Sequence, residues 1–432
     1  MLLKLSNKSF YKRHSAEINR YITSGRALHI INKKSQNKVE DKYSTKYFLD
    51  NEDINLDSLR EEFSSVVLTD VVETHPNVFE LFSEISIHLK PGGKLIISSF
   101  NTKYKPIIKV LEFLNLKDKT SKYTFIQNTK IKNIISGLGF EQINFYTRQI
   151  VPFHLLGFGT FLNLFLESLL KFLNLGIKTY SVYRLNKSKV LSHQKTIIIP
   201  AKNEEGNLET LIKRIPRVEK YEIIIPCGIS EDKTFEISNL LSKNEEYFKI
   251  ETFMQSGNGK ANAVWEAMHK STGDVIAILD ADISVDPETL PHFFEIIDNN
   301  LADFVNGTRL IYQMEKGSMR AINHFGNRLF QYIVSKIINQ PLSDSLCGTK
   351  VFKRELIEDI LSWQNKSLTK DPFGDFDLLF TASFTGQKII EFPIHYRARQ
   401  YGVTQISRFK DGFKLIKYLI YSYFIFNTSK NY

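Results

Sequence analysis

A chain of 432 residues is too long for a single hydrophobic core, so its length predicts two or three domains. Its apolar content of 42% and charged content of 24% are ordinary for a folded soluble protein. The formal net charge of +10 favours a partner that carries phosphate, such as a nucleotide, an anionic lipid or a nucleic acid.

The two cysteines, Cys227 and Cys347, lie in unrelated contexts and provide neither a disulfide framework nor a zinc-binding spacing. A reducing cytoplasm is therefore the expected compartment. The first apolar run is too short for a signal peptide, and no stretch approaches the ~20 uninterrupted apolar residues of a membrane span. We expect a cytoplasmic protein, with any membrane contact peripheral and on the cytoplasmic face.

In chain order, residues 1–187 alternate strand-like runs with helical patterns, which predicts a parallel α/β domain. Residues 64–72 predict a buried strand. Residues 89–100 predict a second strand, which follows a tight reversal at Pro91-Gly92-Gly93. Residues 137–151 and 179–185 predict a closing antiparallel pair of strands around an amphipathic helix.

That helix is expected within residues 155–175. Its polar residues recur at spacings of four and three and form one stripe, Asn163, Glu167, Lys171 and Asn174. Two interpretations stay open: the helix packs against its own domain, or it lies on a bilayer surface.

The LKPGGKLII turn and the GLGF segment of this half resemble the back end of a class I S-adenosylmethionine-dependent methyltransferase. Such domains open with a strand that leads into a glycine-rich turn, where small residues let the backbone approach the cofactor. At the matching place, residues 27–38 contain three lysines and no glycine, and no acidic residue convincingly follows to hold a ribose. We therefore expect a degenerate methyltransferase-like domain, a structural or partner-binding relic, without S-adenosylmethionine as cofactor.

Residues 188–194 form a polar stretch, which predicts a linker to a second domain at 195–410. This domain opens with KTIIIP and EIIIPCGISEDKT, each a strand, a turn and the start of a helix. In open α/β sheets ligands bind outside the carboxyl ends of the strands, so these two turns are expected to line one crevice. A basic Gly-rich loop, a helix and a third strand follow.

The third strand runs directly into Asp280 and Asp282. Two carboxylates at that position repel each other unless a cation lies between or beside them. Oxygen ligands select a hard divalent ion, so we expect Mg²⁺ or Mn²⁺ held by these two residues. The alternative is that Asp282 or Ser284 caps the helix that starts near Pro287.

The segments IPAKNEEGNLETLI, GKANAVWEA and ILDADISVDPE, in this order and spacing, resemble family-2 glycosyltransferases with the GT-A fold. The segments VNGTRL, SDSLCGTKVFKREL and DPFGDFDLLF continue the resemblance, which covers nearly everything from 195 to about 410. It is closest to the dolichyl-phosphate mannose synthase-like branch, which includes bacterial chains with a preceding methyltransferase-like domain. The implied architecture is two Rossmann-like α/β domains, the second a nucleotide-diphospho-sugar transferase.

The resemblance implies roles for three sets of residues. The donor nucleotide and its sugar are expected to contact Pro200, Lys202, Glu204, Gly228, Ser230, Asp232, Lys260 and Asp280. Cations for the donor or acceptor phosphates are Arg309, Arg320 and Arg399. Asp375, which opens a helix, is expected to be the catalytic base or to orient the acceptor. Asp377 is the second choice for that role or a helix cap, and Asp344 is an acceptor-side residue or part of a turn.

The chain departs from the family pattern at Cys227, where many members have an acidic residue that reads the base, and at Ser284, where some have a metal-contacting Gln. Family analogy implies an inverting single displacement, in which an acceptor oxygen attacks the sugar as nucleoside diphosphate leaves. A polyprenyl or other lipid phosphate, or a cell-envelope glycan, is the expected acceptor. The basic, aromatic-rich tail at 411–432 favours either peripheral binding to a membrane or docking on the core.

Two other functions fit parts of the sequence. A nucleotidyltransferase also uses a basic loop and an aspartate that holds a metal. Alternatively, the second domain is a non-catalytic scaffold, just as the first half already lacks the cofactor-binding loop of a methyltransferase. Nucleic acid is not expected as a partner, because no aromatic-basic recognition motif is present.

Overall fold

The computed structural model describes residues 12–22, 25–32, 45–49, 62–73, 75, 77–113, 128–151, 158–170, 173–186, 192–309, 321–366, 374–397, 401 and 408–428. The chain divides into two compact units. The first comprises Met1–Lys187 with Phe424–Tyr432, and the second comprises Ser188–Tyr423.

The first unit is an α/β domain. Its elements are α1 (12–19), β1 (Ala27–Asn32), β2 (Thr45–Leu49), β3 (Phe63–Thr69), α2 (Val78–His88), β4 (Leu89–Phe100), α3 (Lys105–Phe113), α4 (Asn128–Ser136), β5 (Phe140–Arg148), α5 (Phe158–Leu169) and β6 (Lys178–Leu185).

These six strands form one sheet in the order β2-β1-β3-β4-β6-β5. Strands β2, β1, β3 and β4 run parallel to one another, and β6 is antiparallel to both β4 and β5. The predicted closing antiparallel pair is therefore confirmed. Its likeness to a methyltransferase stays a prediction.

The predicted reversal at Pro91-Gly92-Gly93 is wrong. These residues lie inside the single strand β4, and the pairing with β3 shifts register between Phe63 and Ser65 opposite them. Gly92 has a φ of +78°, which glycine adopts without the penalty that a Cβ brings, so the extra residues bulge without turning the chain back.

The second unit is also an α/β domain. Its elements are β7 (Lys195–Ile198), α6 (Glu205–Arg214), β8 (Glu222–Cys227), α7 (Thr234–Asn244), β9 (Lys249–Met254), α8 (Lys260–Lys270), β10 (Val275–Ile278), α9 (Leu290–Asp298), β11 (Phe304–Thr308), α10 (Ala321–Ile338), β12 (Lys350–Lys353), α11 (Ile357–Lys366), α12 (Asp375–Phe384), β13 (Ile389–Pro393) and α13 (Arg408–Thr428).

The seven strands of this unit follow the order β13-β11-β12-β10-β7-β8-β9. Strands β7 to β10 are parallel, and β12 runs antiparallel between β10 and β11. The isoleucines and valines of β7, β8 and β10 are at most 2% exposed, as in a parallel sheet covered on both faces by helices. The predicted α/β fold with two separate sheets is confirmed.

Candidate active site

Asp280 and Asp282 lie just beyond the carboxyl end of β10, which runs between β7 and β12 near the middle of the sheet. The next residue, Ile283, has a φ of +54°, a conformation that is rare for a β-branched side chain. Asp282 Oδ1 accepts a hydrogen bond from the Ser284 backbone N–H at 3.0 Å. The loop is thus held in a strained conformation, of the kind that concentrates at functional sites.

The helix-cap alternative for this loop is wrong. A short 3₁₀ turn, Pro287–Thr289, precedes α9, and its N-cap residue is Asp286. The Asp286 carboxylate instead pairs with Arg397 at 2.7 Å and with Arg214 at 2.8 Å. Neither Asp282 nor Ser284 therefore caps a helix.

Asp280 forms an ion pair with Lys260, the first residue of α8, at 2.5 Å. Both side chains stay partly accessible, with 28% and 26% of their surface exposed. Burial favours a higher pKa for Asp280, but the positive charges of Lys260, Lys350 and Arg309 outweigh it and keep the pKa below its ordinary value. Asp280 is therefore an anion that a ligand can reach.

Gly348 makes room for this pair. A Cβ at position 348 would lie 2.1 Å from Asp280 Oδ2 and 2.7 Å from Lys260 Nζ. The backbone of the loop before β12 consequently passes directly beside the two charged groups, where only glycine fits.

Three carboxylates act electrostatically on Lys260. Burial opposes the charge of its ammonium group, but attraction to Asp280, Asp375 and Asp282 outweighs burial and raises the pKa of Lys260. These carboxylates come from one loop and from the start of α12. The predicted metal ligands and the predicted acceptor residue Asp375 thus all act on one lysine, and Asp280 is the one that contacts it.

Asp375 is the first residue of α12 and pairs with the fully buried Lys350 at 2.8 Å. The preceding Gly374 has a φ of +81°, and a Cβ there would lie 2.9 Å from the ring of Trp265 and 3.3 Å from Ala261, both on α8. This close approach of the two helices places Asp375 near Lys260. Sequence motifs gave Lys350 no role. The available signal was its position at the start of the short strand KVFK, ahead of two buried apolar residues.

Arg309 and Asp344 form a bidentate ion pair. Arg309 Nε and Nη2 donate to the two carboxylate oxygens at 2.6 and 2.8 Å, and the Arg309 backbone N–H donates to Oδ2 at 3.1 Å. Asp344 is fully buried and also accepts the Leu346 N–H at 3.1 Å. This geometry favours the turn alternative for Asp344, as the residue that orients Arg309, over a direct role with the acceptor.

Asp377 is buried at 2% exposure and accepts a hydrogen bond from the Tyr418 hydroxyl on α13. Tyr418 in turn accepts the indole N–H of Trp363 at 2.8 Å. These contacts tie α12 to α11 and α13. They favour a structural role for Asp377 and leave Asp375 as the acidic residue of α12 that lies at the site.

The two turns predicted to bind the nucleotide lie side by side. Ala201 bridges Cys227, and the Asn203 N–H donates to Ser230 Oγ at 3.1 Å. Asn203 Oδ1 in turn accepts a hydrogen bond from the Glu231 N–H at 2.8 Å. The two strand ends therefore form one crevice wall, as the sequence predicts.

Among the predicted nucleotide contacts, Ser230 and Asp232 bind backbone. Asp232 accepts the Glu205 N–H at 3.2 Å, which fixes the turn at the start of α6. Glu204 accepts Asn207 Nδ2 at 2.5 Å. Pro200, Glu204, Ser230 and Asp232 are all half-buried, and Lys202 is exposed. The Lys202 side chain passes 3.3 Å from where a Cβ of Gly228 would lie.

Cys227 is fully buried, with its sulfur 3.3 Å from Ser238 Oγ on α7. It lies in the core instead of lining the crevice, which explains how a residue other than an acid is accommodated there. The predicted phosphate-binding residues Arg320 and Arg399 lie outside the described residues.

Within the part of the chain that the structure describes, no cluster of three or more His, Cys, Asp or Glu side chains is placed to hold a metal ion. No helix in the described ranges is both long and apolar enough to cross a membrane.

Residues 196–361 match the model of glycosyl transferase family 2. They form a family 2 glycosyltransferase domain. The predicted family is thereby confirmed for residues 196–361, which contain Asp280, Asp282, Lys260 and Arg309.

Three curated relatives show what the glycosyltransferase domain is similar to. The low-salt glycan biosynthesis hexosyltransferase Agl6 of Haloferax volcanii is 27% identical over 230 residues, which cover 52% of either chain. The dolichyl-phosphate hexose transferase of the same organism is 26% identical over 226 residues, covering 52% of this chain and 91% of that protein. An undecaprenyl-phosphate 4-deoxy-4-formamido-L-arabinose transferase of Enterobacter sp. is 24% identical over 220 residues, covering 50% of this chain and 63% of that protein. The chain thus spans about half the length of the first of these relatives.

Among solved structures, glucosyl-3-phosphoglycerate synthase from Mycobacterium tuberculosis, in complex with Mn²⁺, UDP and phosphoglyceric acid, is 17% identical with a TM-score of 0.41. The match covers 54% of this chain and 79% of that one. A complex of the same enzyme with Mg²⁺ and UDP is 18% identical with the same TM-score, covering 54% and 79%.

Proposed function

We propose that this chain transfers a sugar from a nucleoside diphosphate to a polyprenyl or other lipid phosphate, with a divalent metal ion and by inverting single displacement. The observation that supports this most is the ion pair of Asp280 with Lys260 at the carboxyl end of the sheet, where Asp282 and Asp375 also act on the same ammonium group. Two relatives are named for polyprenyl-phosphate acceptors, dolichyl and undecaprenyl phosphate.

The residues present fit Mg²⁺ or Mn²⁺. Asp280 offers partly exposed carboxylate oxygens, and its lowered pKa keeps it in the ionised form that a metal requires. In the structure the Lys260 ammonium lies against these oxygens, so the position already suits a cation. When bound, the metal would neutralise charge on the departing diphosphate. Asp280 and Asp282 would hold it.

Lys260 and Arg309 are the cations for the phosphates. Lys260 lies at the start of α8, where the helix dipole adds positive potential. Asp344 holds the Arg309 guanidinium at a fixed angle, so Arg309 is pre-oriented for a phosphate oxygen. Fixed donors of this kind stabilise developing negative charge without reorganising.

Asp375 would orient the acceptor. Its carboxylate is fixed by Lys350 and by the start of α12, so it approaches the site at a defined position. A phosphate acceptor already carries negative charge, and its oxygen attacks without prior loss of a proton. In that case the cations contribute more to the rate than a general base does.

Peripheral membrane contact is part of the proposal, because a lipid phosphate is presented at a bilayer. Helix α13 supports it: Phe413 is 72% exposed and Ile420 is 56% exposed, while Leu415 and Tyr418 pack inward. Lys414 and Lys417 are exposed between these two faces. Both cysteines are free thiols, which fits a reducing compartment such as the cytoplasm.

The test is a transfer assay with UDP-, GDP- and CDP-sugars, Mn²⁺ and a polyprenyl phosphate. We expect release of nucleoside diphosphate, and a loss of about a hundredfold or more in Asp280→Asn, Asp282→Asn and Asp375→Asn. Glu288→Gln, an exposed acid on the following turn, serves as the matched control. Release of sugar 1-phosphate would indicate attack on the α-phosphate, that is, nucleotidyl transfer. No binding or turnover of any donor would support the scaffold alternative.

A further inference from the structure

Helix α5 of the first unit has its polar side chains turned inward. Asn163 is 5% exposed and bonds both the N–H and the carbonyl of Val151 at 2.8 Å. Glu167 is 3% exposed, accepts the Gln149 N–H at 2.6 Å and pairs with Arg13 at 2.5 Å. Half of the predicted polar stripe therefore belongs to the interior. Asn174 is half-buried beyond the helix, and Lys171 lies outside the described residues.

The opposite side of α5 exposes large apolar residues. Phe161, Phe165 and Leu169 are 62%, 58% and 59% exposed, and their spacing of four places them on one helix face. Leu173, beyond the end of α5, is 39% exposed. We call Phe161, Phe165 and Leu169 the α5 face. A helix on a water-soluble protein ordinarily buries such residues, so the reversal indicates a surface that meets something apolar.

Lysines lie at the end of the α5 face. Lys103 Nζ donates to the Leu173 carbonyl at 2.6 Å. Lys105 and Lys109 follow in α3 and are exposed. The same helix exposes Val110 and Phe113, which are 55% and 84% exposed. Apolar side chains and cations are thus adjacent on this part of the unit.

We propose that the first unit docks on an anionic lipid surface through the α5 face. Phenylalanine and leucine side chains enter the boundary between headgroups and acyl chains, while lysines meet lipid phosphates. The net charge of +10 gives long-range attraction to such a surface. A second copy of the chain fits this face less well than a lipid surface, because pairing through the face would bring the lysines of two chains close together, where they repel.

This proposal goes beyond sugar transfer, since it assigns lipid binding to a unit outside the glycosyltransferase domain. The experiment is flotation of the full chain with vesicles of phosphatidylcholine, alone or mixed with phosphatidylglycerol, at low salt. We expect the wild type to float with the mixed vesicles and Phe161→Ser/Phe165→Ser to lose about tenfold or more in partitioning. Lys103→Glu/Lys109→Glu should lose the preference for phosphatidylglycerol.

The matched control is Val218→Ser/Leu240→Ser, which removes apolar side chains of similar exposure, 67% and 58%, from the second unit and should float like the wild type. Wild-type chain that stays unbound overturns the proposal, and so does an α5-face variant that floats undiminished. If the wild type dimerises in the absence of vesicles and the α5-face variant does not, the α5 face binds a second copy of the chain instead. Transfer to a detergent-solubilised acceptor, measured on the same variants, reports the proposed reaction separately.

Discussion

Lys350 and Asp375 form a buried ion pair between β12 and α12, with 2.8 Å between Nζ and Oδ1. The lysine side chain has no exposed surface, and its ammonium also donates to the Cys347 carbonyl. The pair joins the antiparallel strand of the sheet to the helix that presents the proposed acceptor residue. Its two members are separated by 24 intervening residues, so the pairing depends on the fold.

Lys350→Met should destabilise the second unit by about 3 kcal/mol, because it leaves the Asp375 carboxylate buried without its cation. Transfer should also fall, since Asp375 loses the contact that fixes it. Urea unfolding and initial rates measure the two effects. Lys249→Met removes a pair whose lysine is 72% exposed and should change stability by less than about 1 kcal/mol. Equal stability losses in the two variants would contradict this interpretation.

Gly348→Ala should reduce transfer by about a hundredfold while leaving the protein folded, because the new Cβ would lie 2.1 Å from Asp280 Oδ2 and must displace it. Steady-state rates and the thermal shift produced by Mn²⁺ with a nucleotide sugar provide the measurement. The control is Gly137→Ala, whose nearest neighbour beyond the adjacent residues lies 3.4 Å away. Unchanged donor binding in Gly348→Ala would place the donor elsewhere.

Glu73 makes the stability of the first unit depend on pH. Burial, together with the nearby charge of Asp70, raises the pKa of Glu73 to about 7. The folded state then keeps a proton that the unfolded state has already lost, so stability falls as the pH rises between the unfolded pKa and about 7. Glu73→Gln should remove a decline of about 3 kcal/mol across this window.

Urea unfolding followed from about pH 4 to about pH 8 measures that decline. Glu84→Gln, on the neighbouring helix α2, should keep the wild-type slope. A Glu73→Gln variant with the same slope as the wild type would show that Glu73 is ionised in the folded protein across the whole window.

Local sequence features predicted the strand-turn-helix order, because each strand is a short apolar run and each turn carries its own breaker residues. The resemblance to glycosyltransferase motifs likewise implied that Asp280, Asp282, Lys260 and Asp375 belong to one site. The reversal predicted at Pro91-Gly92-Gly93 was wrong for a physical reason. Glycine at a positive φ serves a bulge as well as a turn, and only the pairing of β4 with β3 selects between them.

The sequence by itself determined the order of elements, the family of the second half and the carboxylates that follow β10, since these depend on residues close together in the chain. Only the tertiary structure decided which residue each of these carboxylates contacts. Asp344 pairs with Arg309, Asp377 accepts a hydrogen bond from Tyr418 and Asp375 pairs with Lys350. Burial favours an ionised group only beside a partner, and here the fold supplies each partner from a distant part of the sequence. It also decided that α5 turns its polar stripe inward, since helical spacing defines two faces without saying which of them meets the core.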